Sequence, residues 1–334
     1  MNHSQLVSVH RTRRPCPICG KRDNCAVSDS GTYCRRVRSD HQGRDGGWWH
    51  PNENNIPEAR PAPRVIERPR ARALVDRTKR DLVYQALLRS LLLRTSHREN
   101  LQARGIDEVA ITRGRFKSTP TKEDAARIVA GIAKDCDLLG IAGFYRDASG
   151  WKLVNVPSGF FVPMLDRQGL IQGLQIRRDH LRHPKDSPYL WLSSNPEYFT
   201  HGTKAGRHIH IQNPERIKAT GRVLITEGAL KAFVAAQYLS PDQGGLVALA
   251  GVTNFRDNFG HQLKSAWPEL HTASIAFDRD WQEKLEVKRQ LHRLIKSLSA
   301  ASFSAVTVLT WEQGKGIDDF LVAEVDERQK AVVA

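Results

Sequence analysis

The pattern of hydrophobic and polar positions predicts a helical part followed by a β-hairpin. Apolar residues between Leu82 and Leu91 recur three and four positions apart, which is the period of an amphipathic helix. The same pattern predicts four consecutive helices, over 82–93, 98–104, 107–113 and 122–133. Two apolar β-rich runs, 160–164 and 170–177, then flank an Asp-Arg-Gln-Gly turn. We therefore expect these two runs to pair as strands.

The last third of the chain alternates between strand and helix patterns. The pattern predicts strands over 222–226, 246–249, 273–277 and 305–310, and helices over 229–239 and 282–298. Such alternation is typical of an α/β unit with a parallel-rich sheet and helices on its faces. Ligands of these sheets bind at the carboxyl ends of the strands, so we expect chemistry at that edge.

Composition and charge narrow the class of protein. The chain has 334 residues and a formal net charge of +15, from 51 Lys and Arg against 36 Asp and Glu. The surplus lies in the first two thirds, because residues 217–334 carry 14 charges of each sign. A basic surplus favours polyanionic partners such as nucleic acid. No apolar run approaches the roughly 20 residues that span a bilayer, and the start lacks an apolar secretion signal. We therefore expect a cytoplasmic protein that does not bind membranes.

Four of the five cysteines lie in one short stretch, which in a reducing cytoplasm predicts a metal site before disulfides. Cys16 and Cys19 form a knuckle, and Cys25 and Cys34 flank a predicted hairpin turn. Four thiolates would complete the closed tetrahedral shell of a structural zinc ion. We prefer Cys25 to complete this shell, with His50 as the alternative. Zinc binding worth about 10–16 kcal/mol would then fold a unit with little core of its own.

The region around the cysteines and beyond them is basic. Arginines and aromatic residues near the cysteines, among them Arg36 and Trp48, are expected to offer phosphate contacts and stacking faces. Five prolines and several arginines then fall between residues 51 and 73. This composition cannot bury a core, so we expect an extended basic linker over 51–80.

Three acidic residues directly follow strands of the predicted parallel sheet. Glu227 follows the strand over 222–226, and Asp278 and Asp280 follow the strand over 273–277. Carboxylates that converge at one edge repel one another unless a cation neutralises them, and their hard oxygens suit Mg²⁺ or Mn²⁺. Residues two apart on an extended chain point the same way, so both aspartates are expected to face the metal. The sequence thus predicts a metal site that positions a phosphoryl group.

Other charged residues lie near these acids. Lys231, one helical turn after Glu227, is placed to contact phosphate, and the alternative is an ordinary exposed helix lysine. Asp318 and Asp319 follow a Gly-Lys-Gly stretch and form a second acidic pair. The sequence has no Gx4GK[ST] phosphate loop, so a P-loop helicase or motor is not expected.

These motifs together resemble the Toprim domain of bacterial DnaG-type primases and topoisomerases. The resemblance rests on residues that follow three strands in turn: Glu227, Gly228, Gly251, Asp278 and Asp280. Residues 161–173 resemble the hairpin of the primase N-terminal subdomain, and residues 189–194 resemble the segment after it. The cysteine cluster is similar to the primase zinc-binding domain. The CPICG and GKGIDD stretches are most similar to primase-like proteins of phages, plasmids and other mobile elements.

The resemblance implies a mixed α/β protein in several parts. A zinc ribbon that binds DNA would cover 1–50, an α+β primase subdomain 81–216, and a Toprim α/β domain with a parallel-rich sheet 217–334. The zinc pattern departs from the family in its cysteine at position 25. A second departure is Arg279, which stands where the family often has a small residue between the two aspartates.

The resemblance also implies roles for individual residues. Glu227 would be the central metal ligand or general base, and Asp278 and Asp280 would hold Mg²⁺. Catalytic or nucleotide and template contacts would further come from Lys231, Arg177, Gly228, Gly251 and Asp318.

The function expected from these roles is a DNA primase that makes short RNA primers by Mg²⁺-dependent nucleotidyl transfer. Its partners would be single-stranded DNA, nucleoside triphosphates and a separately encoded replicative helicase. Two alternatives remain open at this point: a Toprim nuclease that uses the same metals, and a non-catalytic single-strand-binding accessory protein.

Overall fold

The protein is described here by a computed structural model covering residues 6–12, 14–43, 46–52, 74–183 and 186–333, with side chains to residue 325. The chain divides into two compact units. The first comprises Met1–Arg72 with Asn195–Thr200, and the second comprises Ala73–Ser194 with His201–Ala334. The centre of the predicted linker, 53–73, lies outside the described residues. None of the helices in the described ranges is long and apolar enough to cross a bilayer.

The first unit is a small antiparallel sheet beside the cysteines. Its elements are β1 (Val7–Ser8), α1 (Val9–Thr12), β2 (Ala26–Ser28), β3 (Gly31–Cys34) and β4 (Trp48–Pro51). The strands pair in the order β1-β2-β3-β4. Its buried cluster consists of Val9 and three cysteines, so the unit has little apolar core. Trp48 is buried rather than available for stacking on a base, because it packs inside this sheet.

The second unit begins with helices and an antiparallel sheet. Its first elements are α2 (Arg77–Arg89), α3 (Thr95–Gln102), α4 (Glu108–Gly114), β5 (Lys117–Ser118), α5 (Lys122–Asp135), β6 (Phe144–Asp147), β7 (Gly150–Leu153), β8 (Gly159–Leu165), β9 (Ile171–Arg178) and β10 (Tyr189–Trp191). The four predicted helices and the β8–β9 hairpin are confirmed. The order β10-β9-β8-β5 defines the larger sheet, and β6 and β7 form a separate hairpin that the sequence pattern did not predict.

Helix α2 begins earlier than expected. It starts at Arg77, within the segment predicted as linker, because the Asp76 carboxylate accepts a hydrogen bond from the Thr78 N–H and caps the first turn. The last four residues of the predicted linker are therefore helical.

The rest of the second unit carries the predicted α/β sheet. Its elements are β11 (Ile209–Gln212), α6 (Pro214–Thr220), β12 (Arg222–Glu227), α7 (Ala229–Tyr238), β13 (Gly245–Leu249), α8 (Phe259–Ala266), β14 (Thr272–Ala276), α9 (Leu285–Ala300), β15 (Ala305–Val308) and α10 (Ile317–Val333). The strand order is β11-β13-β12-β14-β15. Strands β12 to β15 pair in parallel, and β11 is an antiparallel edge strand. The parallel-rich sheet is confirmed.

A shared core joins the two sheets of the second unit. Phe160 and Val162 of β8 pack in one buried cluster with Phe233 and Val234 of α7. Helix α7 begins directly after β12 and packs against β8, so this contact brings the carboxyl end of β12 to the antiparallel sheet. Apart from residues 195–200, which belong to the first unit, the predicted parts 81–216 and 217–334 lie in one compact unit.

Candidate active site and zinc centre

The four clustered cysteines meet at one point in the first unit. The sulfur atoms of Cys16, Cys19, Cys25 and Cys34 all lie within 4.8 Å of one another. The Cys19–Cys25 and Cys25–Cys34 sulfur distances are 3.8 Å and 4.0 Å. Zinc with Zn–S bonds of about 2.3 Å separates its ligand sulfurs by roughly 3.8 Å. The donors and their spacing therefore fit a structural zinc ion in a zinc ribbon.

Local geometry distinguishes Cys25 from His50 as the fourth ligand. The knuckle closes through Gly20, whose N–H donates to the Cys16 carbonyl oxygen at 2.8 Å and whose φ of +68° suits glycine. The His50 ring nitrogen lies 3.0 Å from the Val37 carbonyl oxygen, so its contact is outside the sulfur cluster. This geometry favours Cys25 over His50 as the fourth ligand.

Arg36 is part of the cysteine centre rather than an exposed phosphate contact. Its guanidinium lies 3.9 Å from the Cys19 sulfur and 3.7 Å from the Cys25 sulfur, and it donates to Asp23 at 2.8 Å. Burial favours a higher pKa for Cys19, but hydrogen bonds with the Lys21 amide, Cys16, Arg36 and Cys25 together outweigh it and lower that pKa to about 7. A thiol that loses its proton readily is suited to metal binding.

A cavity of about 430 Å³ lies within the second unit. Residues of the parallel sheet and of β9 and β10 line it together. Seven of the eight residues that the sequence assigns to catalysis or nucleotide contact are in its wall: Arg177, Glu227, Gly228, Lys231, Gly251, Asp278 and Asp318. The eighth, Asp280, is not among the lining residues.

The turn from β12 into α7 positions two of these side chains. Glu227 is the last residue of β12, and Gly228 has a φ of +84° that lets the chain turn at once into the helix. The Gly228 N–H donates to the carbonyl oxygen of Leu249 in β13 at 2.6 Å. Lys231 then lies in the first turn of α7, with its ammonium 3.9 Å from the Glu227 carboxylate.

Asp278 is held between two lysines. The Lys231 ammonium donates to one carboxylate oxygen of Asp278, and the Lys315 ammonium lies 3.5 Å from the other. The Asp278 side chain is 6% exposed and that of Lys315 is 68% exposed, so one lysine is a fixed partner and the other faces solvent.

Asp280 does not point along with Asp278, and the expectation of an extended Asp-x-Asp segment is wrong. Strand β14 ends at Ala276, and residues Arg279–Gln282 form a 3-10 turn. This turn is fixed by the Arg279 N–H, which donates to the Lys315 carbonyl oxygen at 2.9 Å. Asp280 instead accepts from Lys284 at 2.5 Å.

The first turn of α10 supplies a third cavity carboxylate. Asp318 is 6% exposed, and its Oδ1 atom is buried without a hydrogen-bond partner among the described residues. Gly316 packs against this group: a β-carbon there would overlap Asp318 Oδ1 and lie 2.9 Å from Lys231 Nζ. Asp319 closes the loop by accepting from the Lys315 and Gly316 N–H groups at 3.0 and 3.2 Å.

The opposite wall of the cavity is basic and aromatic. The Arg177 guanidinium lies 5.6 Å from the centre of the Tyr189 ring and donates to the Arg178 carbonyl oxygen at 2.5 Å. Arg104 and Gln175 complete this wall. One wall of the cavity is thus rich in carboxylates, and the opposite wall carries cationic and planar groups. This arrangement is suited to binding a metal-bound nucleotide.

Burial shifts the protonation of the charged groups in the cavity. Desolvation and then the nearby charge of Asp280 raise the pKa of Glu227. Desolvation lowers the pKa of Lys231, against the attraction of Glu227. Desolvation, with Asp319 second, raises the pKa of Asp318. A nearby charge of opposite sign would therefore stabilise the ionised form of each of these three groups.

The cavity residues offer the donor types that suit a hard divalent cation, although among the described residues only the four cysteines bring three or more ligand atoms within 4.8 Å of one another. Glu227, Asp278 and Asp318 offer carboxylate oxygens, the donors that Mg²⁺ and Mn²⁺ prefer. Asp318 Oδ1, which is buried and has no hydrogen-bond partner among the described residues, is a further acceptor of this kind.

Sequence reasoning missed several residues of this cavity. Lys315, Arg104 and Gln175 were given no role, yet all three line it. Lys315 stands in the Gly-Lys-Gly stretch before the acidic pair, and that position is the one signal by which it could have been found.

Comparisons with known proteins bear on the family and the fold of the chain. Residues 217–328 match a family described as "Domain of unknown function (DUF3854)". No curated protein sequence is similar enough to count as a relative. The zinc-binding and RNA polymerase domains of Aquifex aeolicus primase superpose with a TM-score of 0.57 at 15% identity, over 78% of this chain and 61% of that one.

The chain has the fold of DnaG-type primases. A DnaG primase catalytic domain bound to single-stranded DNA gives a TM-score of 0.55 at 17% identity, over 76% of this chain and 78% of that one. The RNA polymerase domain of Mycobacterium tuberculosis DnaG, in complex with a DNA duplex that has a 6-nucleotide overhang, gives a TM-score of 0.55 at 14% identity. The match covers 78% of this chain and 81% of that one. The DnaG-type fold is thus shared at low sequence identity, and this chain spans 61% of the Aquifex primase structure.

Proposed function

We propose that the chain is a DNA primase that synthesises short RNA primers on single-stranded DNA. The observation that supports this best is the single cavity in which a DnaG-type fold brings Glu227, Lys231, Asp278 and Asp318 opposite Arg177. In this proposal, the α/β part is a Toprim domain and the cavity is its nucleotidyl-transfer site.

The reaction joins a strand to an incoming nucleoside triphosphate. The 3′-hydroxyl oxygen attacks the α-phosphorus, the bond between the α- and β-phosphates breaks, and pyrophosphate leaves. Bound Mg²⁺ would neutralise phosphate charge and activate the attacking hydroxyl. Asp278 and Asp318 would hold it, and Glu227, with its raised pKa, is suited to accept the hydroxyl proton. In this proposal Asp280, which does not line the cavity, acts through its charge on the pKa of Glu227.

The basic groups around the cavity would bind and orient the triphosphate. Lys315 is largely exposed and lies 3.5 Å from Asp278, so it can exchange this carboxylate for a phosphate oxygen. Arg177, stacked on Tyr189, presents a planar cation to the same space. Gly228 and Gly251 have positive φ values and leave room for close approach of the nucleotide to the backbone.

The zinc ribbon would bind the single-stranded template. Its remaining exposed arginines supply the phosphate contacts that nucleic-acid binding requires. We further propose a role in the replication of a phage, plasmid or other mobile element, with a helicase encoded separately. These proposals extend the sequence resemblance.

A product assay tests the proposal and separates its rivals. The zinc-loaded full chain is incubated with circular single-stranded DNA, labelled ribonucleotides and Mg²⁺ or Mn²⁺, and compared with Glu227→Gln. We expect primer-length RNA from the wild type and none from the variant. Cleavage of the DNA without synthesis would favour the nuclease, and binding of the DNA with neither reaction would favour the accessory role. Either result would overturn the primase proposal.

A further inference from the structure

Lys231 lies among the carboxylates that a cation would bridge. Its ammonium donates to Asp278 Oδ1 and is 3.9 Å from Glu227 Oε1. Gly316 packs against the same ammonium, since a β-carbon on it would lie 2.9 Å from Lys231 Nζ. The Lys231 side chain is only 20% exposed. The positive charge is therefore held in the site by packing on one side and by two acids on the other.

The carboxylate atoms that remain available are few. Asp278 Oδ2 faces the solvent-exposed Lys315 ammonium, which a cation can displace. Asp318 Oδ1 is buried without a partner in the described part of the chain. Asp280 is bonded to Lys284 and does not line the cavity. A Mg²⁺ ion keeps several of its waters and typically needs one or two protein carboxylates, so these atoms suffice for one ion.

We infer that the cavity binds one divalent cation rather than two, with the Lys231 ammonium in the place of the second. This inference rests on the proposed metal-dependent function of the same site. A fixed ammonium keeps Glu227 and Asp278 close together without a second ion, and its charge repels a second ion. Two-metal sites hold their ions about 3.5–4 Å apart, a separation that Lys231 would obstruct.

Counting bound Mn²⁺ by electron paramagnetic resonance tests the inference without any activity readout. The zinc-loaded full chain is titrated with Mn²⁺, so that the cysteines are already occupied. We expect the wild type to saturate at one Mn²⁺ per chain and Lys231→Gln to saturate at two. Lys231→Arg, which keeps the charge, should remain at one. The matched control Lys284→Gln, which removes a lysine outside the cavity, should also remain at one.

The number of Mn²⁺ ions bound by the wild type tests the inference even where a variant folds poorly. Saturation at two ions, or no binding at all, would overturn the inference, as would a Lys231→Gln protein that is folded and still binds one. Its failure is distinguishable from failure of the proposed function. A chain that binds one Mn²⁺ and makes no primer would contradict the primase proposal and leave the single-ion inference intact.

Discussion

The ammonium of Lys231 and the carboxylate of Asp278 are directly bonded, although the two residues are 47 positions apart in the sequence. One belongs to the first turn of α7 and the other follows β14, so the contact joins the carboxyl ends of two neighbouring parallel strands. This pair makes the site a mixed-charge cavity rather than a purely acidic one.

Gly316→Ala should disable the cavity while leaving the fold intact. The added β-carbon would overlap Asp318 Oδ1 and crowd Lys231 Nζ, so at least one of these charged groups must move. A displacement of about 1 Å at a catalytic group can cost on the order of 100-fold in rate. We expect such a loss in primer synthesis, measured alongside the circular dichroism spectrum.

Gly131→Ala is the matched control for that substitution. Gly131 lies in α5, and a β-carbon there meets nothing within 4 Å. Alanine in a helix interior is favoured over glycine by roughly 0.5–1 kcal/mol, so this variant should be slightly more stable and fully active. Equal activities for the two alanine variants would contradict the packing role of Gly316.

Removal of the Arg36 side chain should weaken zinc binding. The guanidinium lies within 4 Å of two sulfurs and is bonded to Asp23. Groups that support metal ligands typically contribute about 10–100-fold in metal affinity. Competition with a chromophoric chelator should show such a loss for Arg36→Ala and none for Arg22→Ala, an exposed arginine of the same unit. An unchanged affinity for Arg36→Ala would refute the role.

The four-cysteine centre predicts different zinc contents for two variants. Cys25→Ser removes a sulfur from the cluster, whereas His50→Ala removes a ring that contacts the Val37 carbonyl oxygen instead. Elemental analysis of the purified chains should give about one zinc for His50→Ala and much less for Cys25→Ser. The reverse order would establish His50 as the ligand.

The contribution of Glu227 to stability should fall as pH rises when no Mg²⁺ is present. Burial raises the folded-state pKa of Glu227 above its ordinary value of 4.5. A raised carboxyl pKa contributes stability below the ordinary value, and that contribution is lost as pH rises through the folded-state pKa. Glu227→Gln avoids this loss, so its free energy of unfolding relative to wild type should increase between about pH 5 and about pH 8.

Urea titrations at the two pH values measure this difference. Glu99→Gln, which alters an exposed glutamate of α3, is the control and should show no such trend. Saturating Mg²⁺ should reduce the advantage of Glu227→Gln, because the ion neutralises the buried charge of the wild type. If the difference in free energy of unfolding between Glu227→Gln and wild type stayed constant across the pH range, burial of the Glu227 carboxylate would not destabilise the folded state.

Much of this architecture could be predicted from local sequence. Parallel strands such as β13 are buried on both faces and appear as continuous apolar runs, so their ends, and with them Glu227 and Asp278, could be located. The cysteine spacing was equally informative, because four donors of one kind within a short segment satisfy the ligand requirement of zinc.

Features set by long-range contacts could not be predicted in this way. Asp280 turns out of the cavity because the N–H of Arg279 bonds to the loop at Lys315, far along the chain. Arg36 contributes to the cysteine centre because the fold brings it to Cys19, and nothing in its neighbourhood in the sequence distinguishes it from other arginines. Such contacts depend on tertiary packing, which periodicity does not encode.

The rate of primer synthesis by Asp278→Asn tests the central claim most directly. The substitution keeps the size of a buried side chain and removes the charge that Lys231 and a metal ion would share. We predict a loss of at least about 100-fold, equivalent to about 2.7 kcal/mol of transition-state stabilisation, with an unchanged circular dichroism spectrum. Asp135→Asn, an exposed aspartate of α5, should keep the wild-type rate. Primer synthesis at the wild-type rate by Asp278→Asn would contradict the assignment of this cavity as the active site.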